Sequence, residues 1–400
     1  MTFNASDNAG NVSDQAITDK NDSKINSYTY YIDDTAPQIE SVAFAPVSVD
    51  GTDRTETLYQ EPEVFMIDNL HYGLFFRSDY DLKVYPSDKN PSSGLKNVSY
   101  KIISYSDSSQ PQIISEDSAD VNNEGYALIH VNKGFKGRII LSAEDNVGNK
   151  SDQQYVDAFV SEDVAPELSM TFLNDSSLRD ADGNELYNED VSVTVIVTDT
   201  QSGLKNCKVN LNSEKIGETG NTEFINISDL INSGGSLYGW TIVERDANLV
   251  TKISKTYTFS QDDNNIVVRA TAMDNCNNEI PEPVESRKFT IDKTDPVIDV
   301  SCSEGYNGSV YYNNDLKAVI TIDITERNFD ADLIKTEIEN TFTGNKPDIV
   351  FSSSAADKHK AVLTFSEGDY IFTVSGTDLA GHKAVVNTPY EGVRRFFVDE

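Results

Sequence analysis

The chain has 400 residues, with 66 acidic and 32 basic side chains and a formal net charge of −34. That surplus argues against nucleic acid and against an anionic membrane as partners, since clustered Lys and Arg hold both. No run of 18 apolar residues is present, so no predicted helix is long enough to span a bilayer.

The chain opens on Ala5-Ser6-Asp7-Asn8-Ala9-Gly10-Asn11, followed by Tyr31-Ile32-Asp33-Asp34-Thr35-Ala36-Pro37. Residues 1–36 are expected to be the last two strands of a domain that starts upstream. Past a non-repeated stretch, 47–72, come Asp88 and the turn phrase Ser93-Gly94-Leu95-Lys96-Asn97-Val98. Ile139, Leu141 and Ala143 alternate as one face of a strand, and lead into Ala143-Glu144-Asp145-Asn146-Val147-Gly148-Asn149. The segment ends on Phe159-Val160-Ser161-Glu162-Asp163-Val164-Ala165-Pro166.

The same order then recurs. Val191, Val193, Val195 and Val197 alternate with Ser192, Thr194, Ile196 and Thr198, ending at Asp199. Ser202-Gly203-Leu204-Lys205-Asn206-Cys207 follows, then a candidate short helix at 228–233 and an excursion, 213–255, containing Tyr238 and the single Trp240. Ala272-Met273-Asp274-Asn275-Cys276-Asn277-Asn278 and Phe289-Thr290-Ile291-Asp292-Lys293-Thr294-Asp295-Pro296 close this copy. Asp180-Ala181-Asp182-Gly183-Asn184-Glu185 has Gly at its fourth place, not the sixth, so it reads as a hairpin turn in preference to an EF-hand loop.

In the last copy Leu316, Ala318, Ile320, Ile322 and Ile324 alternate, with Asp323 among them. The turn phrase departs here to Glu326-Arg327-Asn328-Phe329, and 328–340 is a second candidate helix. Phe372, Val374 and Gly376 precede Gly376-Thr377-Asp378-Leu379-Ala380-Gly381-His382. Pro37, Pro166 and Pro296 recur about 130 residues apart, the mark of a tandem array. The array divides as 37–165, 166–295 and 296–400, each long enough for its own core.

Catalysis finds no support. The four histidines share no metal motif, the three cysteines form no C-x-x-C, and neither G-x-S-x-G nor a phosphate-binding Gly loop occurs. The chain is expected not to be an enzyme.

The ordered phrases A-x-D-x-A-G-N and D-x-T-x-P, with S-G-L between them, resemble bacterial immunoglobulin-like domains of Gram-positive surface proteins. The resemblance implies an all-β fold of tandem immunoglobulin-like sandwiches set end to end. It implies a non-catalytic stalk of an extracellular, adhesin-like protein, monomeric and rod-shaped. At about 3.3 Å per residue each unit would measure roughly 35–40 Å, and three roughly 110 Å. Alternatives are units that themselves bind a host immunoglobulin or mucin-type glycoprotein, or accessory modules of a secreted carbohydrate-active enzyme. Tyr238 and Trp240 are candidate contacts for a binder, with core filling as the alternative for Trp240. In such a sandwich the linker acids of one unit meet the turn acids of the next. That would gather Asp33, Asp34, Asp88 and Asp145; then Glu162, Asp163, Asp199 and Asp274; then Asp292, Asp295, Asp323 and Asp378. Ca2+ would relieve their repulsion, whereas turn capping alone needs no ion. The resemblance also sets Cys207 level with Cys276, a candidate disulfide.

Overall fold

Alternation along the sequence builds the strands. Val191, Val193, Val195 and Val197 are buried on one face of the strand Val191–Thr198, and the residues between them are half-exposed. A computed structural model describes residues 8–9, 17–18, 24–25, 32–46, 57–58, 71–105, 111–388 and 393–400. It is all-β, with one six-residue helix, Ile227–Asn232, among the described residues. Most of 1–36 and of the 47–72 stretch lies outside them. The chain forms two compact units, Met1–Val164 with Asp246–Leu249, and Ala165–Arg245 with Val250–Glu400.

In the first unit one sheet runs Thr57–Leu58, Gln38–Pro46, Tyr80–Ser87, Ala127–Val131. The other runs Leu74–Phe76, Gln154–Ser161, Phe135–Asp145, Leu95–Ser104, Gln112–Asp120. Only Leu74–Phe76 is parallel to its neighbour in these two sheets. Val42, Leu82 and Ile129 from the first sheet pack with Ile139, Leu141 and Val156 from the second. Each such fully buried side chain contributes about 1.5–3 kcal/mol.

The second unit holds two more pairs of sheets, each with a core of its own. One pair has a sheet Glu167–Phe172, Val191–Thr198, Leu249–Phe259, Trp240–Asp246, Ser236–Leu237. Its companion is Glu185–Tyr187, Phe289–Ile291, Asp263–Asp274, Leu204–Ser213, Gly217–Asn226. The last pair has a sheet Ser352–Ala355, Lys358–Phe365, Ala318–Thr325, Val297–Cys302, Val385–Asn387. Its companion is Tyr311–Tyr312, Val393–Val398, Gly368–Gly376, Ile334–Asn340.

Two expectations are corrected. Residues 328–340 are not a helix: Asp330 caps a single 3-10 turn, Ala331–Leu333, and the chain then extends as Ile334–Asn340. The disulfide does not form either. Cys207 stands opposite Ala272 and Leu204 opposite Asp274, so Cys276 lies past the end of the ladder, and Cys207 and Cys276 are not joined. Burial pushes the Cys207 thiol up to about 12, with Glu223 adding to the effect, which suits a small apolar filler.

Candidate functional site

The repeated Asp closes one and the same turn three times. Asp145, Asp274 and Asp378 are all buried. Each donates its N–H to the carbonyl four residues on, of Asn149, Asn278 and His382, at 3.1, 3.1 and 3.2 Å. Each Oδ1 accepts the N–H of that residue at 2.9, 2.7 and 2.8 Å. Each Oδ2 meets its side chain: Asn149 Nδ2 at 2.7 Å, Asn278 Nδ2 at 2.7 Å and His382 Nδ1 at 3.0 Å. Asn277, where the other copies have Gly, and His382, where they have Asn, therefore leave the hydrogen bonds of the turn unchanged. Asn277 adopts the left-handed φ of 64° that Gly148 (98°) and Gly381 (88°) supply elsewhere, and Asn tolerates that region better than most residues. A Cβ on Gly148 would touch nothing within 4 Å, so Gly148→Ala isolates the backbone cost. It is expected to destabilise the first unit by about 1–2 kcal/mol in denaturant unfolding.

This turn docks on the other repeated phrase. Asn146 N donates to Gly94 O at 2.9 Å, and its Nδ2 to Ser93 O at 3.0 Å. Asn275 does the same with Gly203 O (3.0 Å) and Ser202 O (2.9 Å). In the last copy Leu379 N donates to Asn328 O at 3.0 Å. The Asp-x-x-Gly and Ser-Gly-Leu phrases recur together because they are hydrogen-bonded partners.

The acids converge in part. In the first unit Asp33, Asp88 and Asp145 each place a carboxylate oxygen within 4.8 Å of the others. Asp33 accepts from Ser93 N at 2.6 Å and from Thr35 N and Oγ1 at 3.2 and 3.0 Å. The Ser93 N–H is the main reason its carboxyl falls to about 2. Burial works to raise Asp145, but the Asn149 side chain and the N–H groups of Asn149, Val147 and Gly148 outweigh it and hold the group low. Asp88 Oδ2 accepts from Ser92 Oγ at 2.5 Å, while its Oδ1 is buried with no hydrogen-bond partner. Asn149 Nδ2 also reaches Asp33 O at 3.1 Å and Thr35 O at 3.3 Å, tying the entering segment to the turn. Asp34 is exposed. Asp163 pairs with Lys133, and Glu162 is buried with its N–H on Phe76 O at 3.0 Å.

In the second unit Asp199 and Asp274 bring oxygens within 4.8 Å of each other. Asp199 Oδ1 also accepts from Gln201 N and Gly203 N at 3.1 and 2.8 Å, as a turn cap does. Asp292, Asp378 and His382 form another group. Asp295 and Asp323 are not part of it: both are exposed, and Asp323 lies 3.4 Å from Lys360. Glu326, which the sequence pattern did not single out, is buried there instead. Asn328 bridges the group, its N–H on Glu326 Oε1 at 2.6 Å and its Nδ2 on Asp292 Oδ2 at 2.7 Å. Burial, with Asp292 and Asp378 nearby, pushes the Glu326 carboxyl up to about 7. Burial likewise raises Asp292, opposed by Asn328 and Thr294.

The two groups thus solve the same repulsion in opposite ways. The carboxyls of Asp33 and Asp145 are held low by the N–H groups they accept and stay ionised. The carboxyls of Glu326 and Asp292 are raised by burial, and Asn328 donates to both, from its backbone N–H and its side-chain amide. The Asp180 loop is a hairpin turn: its carboxylate accepts from Asp182 N at 3.0 Å and Asn184 N at 2.8 Å. Trp240 is wholly buried, its Nε1 on Glu223 Oε1 at 2.6 Å, whereas Tyr238 is 76% exposed. The two therefore do not share a surface. Compared with family models and with curated protein sequences, the chain gives no match.

Proposed function

We propose that the chain is a non-catalytic spacer segment of a Gram-positive cell-surface protein, built of tandem immunoglobulin-like sandwiches that hold or present a binding module. One observation carries this: three pairs of sheets share the same central strand order, differing only in their edge strands, with a short parallel strand beside the last strand of each companion sheet, and all three close on the same Asp turn. That order, with strands from both sheets sharing each core, is what an immunoglobulin-like sandwich requires. Identical framing of each unit suits repetition along a stalk. The exposed Tyr238, at φ 50° on the excursion, favours the second reading, in which a unit itself takes a host glycoprotein or immunoglobulin.

We also propose Ca2+ at Asp33, Asp88 and Asp145, because the orphaned Asp88 Oδ1 sits beside two carboxyls held ionised. A hard cation takes such oxygens readily. The test is thermal unfolding and small-angle scattering of the full chain, in excess calcium and in chelator. At a hundredfold excess over Kd one site adds about 2.7 kcal/mol, and Asp88→Asn should remove that gain. A calcium response unaltered by Asp88→Asn would discard this site. A particle far shorter than the rod expected from the sequence would discard the spacer reading.

A further inference from the structure

We infer that the outer edge of the strand Ile334–Asn340 docks an extended peptide, added as a further strand, in which apolar side chains alternate with basic ones. Three sheets of the chain are equivalent in their central strands. Leu95–Ser104 and Leu204–Ser213 are each covered on their outer side by a fifth strand, Gln112–Asp120 and Gly217–Asn226. Ile334–Asn340 takes the same place in the last companion sheet, pairs with Gly368–Gly376 on one side, and ends the sheet. Among the described residues no strand pairs with its other side. The chain that would have supplied one runs irregularly from 341 to 351, then joins the opposite sheet as Ser352–Ala355.

The vacant position is shaped for a strand. A groove of about 590 Å³ lies along it, lined by residues 336–340 and by Lys346, Pro347 and Ile349. An unpaired edge offers N–H and C=O groups in a row, and added strands draw affinity from them. No proline interrupts Ile334–Asn340 to blunt it. Side-chain parity sets the ligand's chemistry. Ile334, Thr336 and Asn340 are half-buried and Ile338 is buried, so a docked strand would place apolar residues on that face. Lys335, Glu337 and Glu339 are exposed on the other face, and cross-strand opposites stabilise. Two acids against one Lys ask for basic residues there. The net charge of −34 favours such a peptide and opposes a second copy of this chain. Val350, 77% exposed, follows the lining residue Ile349, and Phe342, 71% exposed, lies two residues past Asn340; both offer apolar pads. None of this depends on the spacer reading.

The probe is a fluorescein-labelled nonapeptide of alternating Val and Lys, titrated into the full chain and followed by anisotropy. Two further peptides carry N-methyl groups on the odd or on the even residues, with charge unchanged. The expected result is saturable binding that one N-methyl series loses at least about tenfold and the other keeps, as strand pairing requires. Glu337→Lys with Glu339→Lys should lose the Val–Lys peptide and gain a Val–Glu one. Asp117→Lys, on the outer strand of the first unit, should change nothing. Absence of binding, equal binding of all three peptides, or indifference to the 337/339 reversal would each overturn the assignment.

Discussion

Asp145→Ala is expected to lower the stability of the first unit by about 3–5 kcal/mol, or its melting temperature by roughly 10 °C. The carboxylate is buried and accepts from Val147 N, Gly148 N and Asn149 N at 2.9, 2.7 and 2.9 Å, and from Asn149 Nδ2 at 2.7 Å. Truncation leaves Val147 N and Asn149 N without this acceptor, while Gly148 N keeps only Asp145 O at 3.3 Å and Asn149 Nδ2 only the Asp33 and Thr35 carbonyls. An orphaned donor costs about 1–3 kcal/mol, and the buried carboxylate's own contacts add to that. It also frees Asn149, whose amide bonds the Asp33 and Thr35 carbonyls. A domain of this size is stable by only about 5–15 kcal/mol, so the loss is a large share. Denaturant unfolding in chelator excludes any contribution from calcium. Val147→Ala, at a residue 62% exposed in the same turn, should cost little. A loss below about 1 kcal/mol for Asp145→Ala would show that the turn does not depend on its carboxylate.

Much of this was legible, because strand and turn chemistry are local. Branched residues at every second place announced Val191–Thr198, and the recurring Asp announced the turns. The misreadings arose where register or parity decides. Asp323 lies between Ile322 and Ile324, both buried, so its side chain must point to the opposite face and cannot join Asp378. Ile334 and Ile338 are four apart, a spacing that helix and strand both satisfy. Cys207 lies within one of two paired strands and Cys276 just beyond the other, where the ladder has already ended. Glu326 lies just past the end of Ala318–Thr325, where the Ser-Gly-Leu phrase is missing, so no repeat pointed to it. Only the buried setting of Asp292, Asn328 and Asp378 makes it a site.

That setting should make stability fall as pH rises. An unfolded Glu ionises near 4.5, whereas Glu326 in the fold does so near 7. Between these values the folded state binds the extra proton. Its contribution is thus fully present below about 4.5, declines through the interval and is gone above about 7. At about 1.4 kcal/mol per unit the interval from 4.5 to about 7 corresponds to about 3.5 kcal/mol, and solvent screening brings the loss to about 3 kcal/mol. The raised Asp292 acts in the same sense, and Asp378, His382 and His359 share the surroundings, with His359 Nε2 at 2.8 Å from Glu326 O. Repulsion within a chain of net charge −34 slopes the same way, so the wild type alone cannot decide. Glu326→Gln can: its amide oxygen still accepts the Asn328 N–H but carries no proton to lose. Urea unfolding at pH 5 should find variant and wild type within about 1 kcal/mol, and at pH 8 the variant should be more stable by about 3 kcal/mol. Parallel stability curves across that range would mean that Glu326 titrates as it does in the unfolded chain, and that water, not burial, sets its charge.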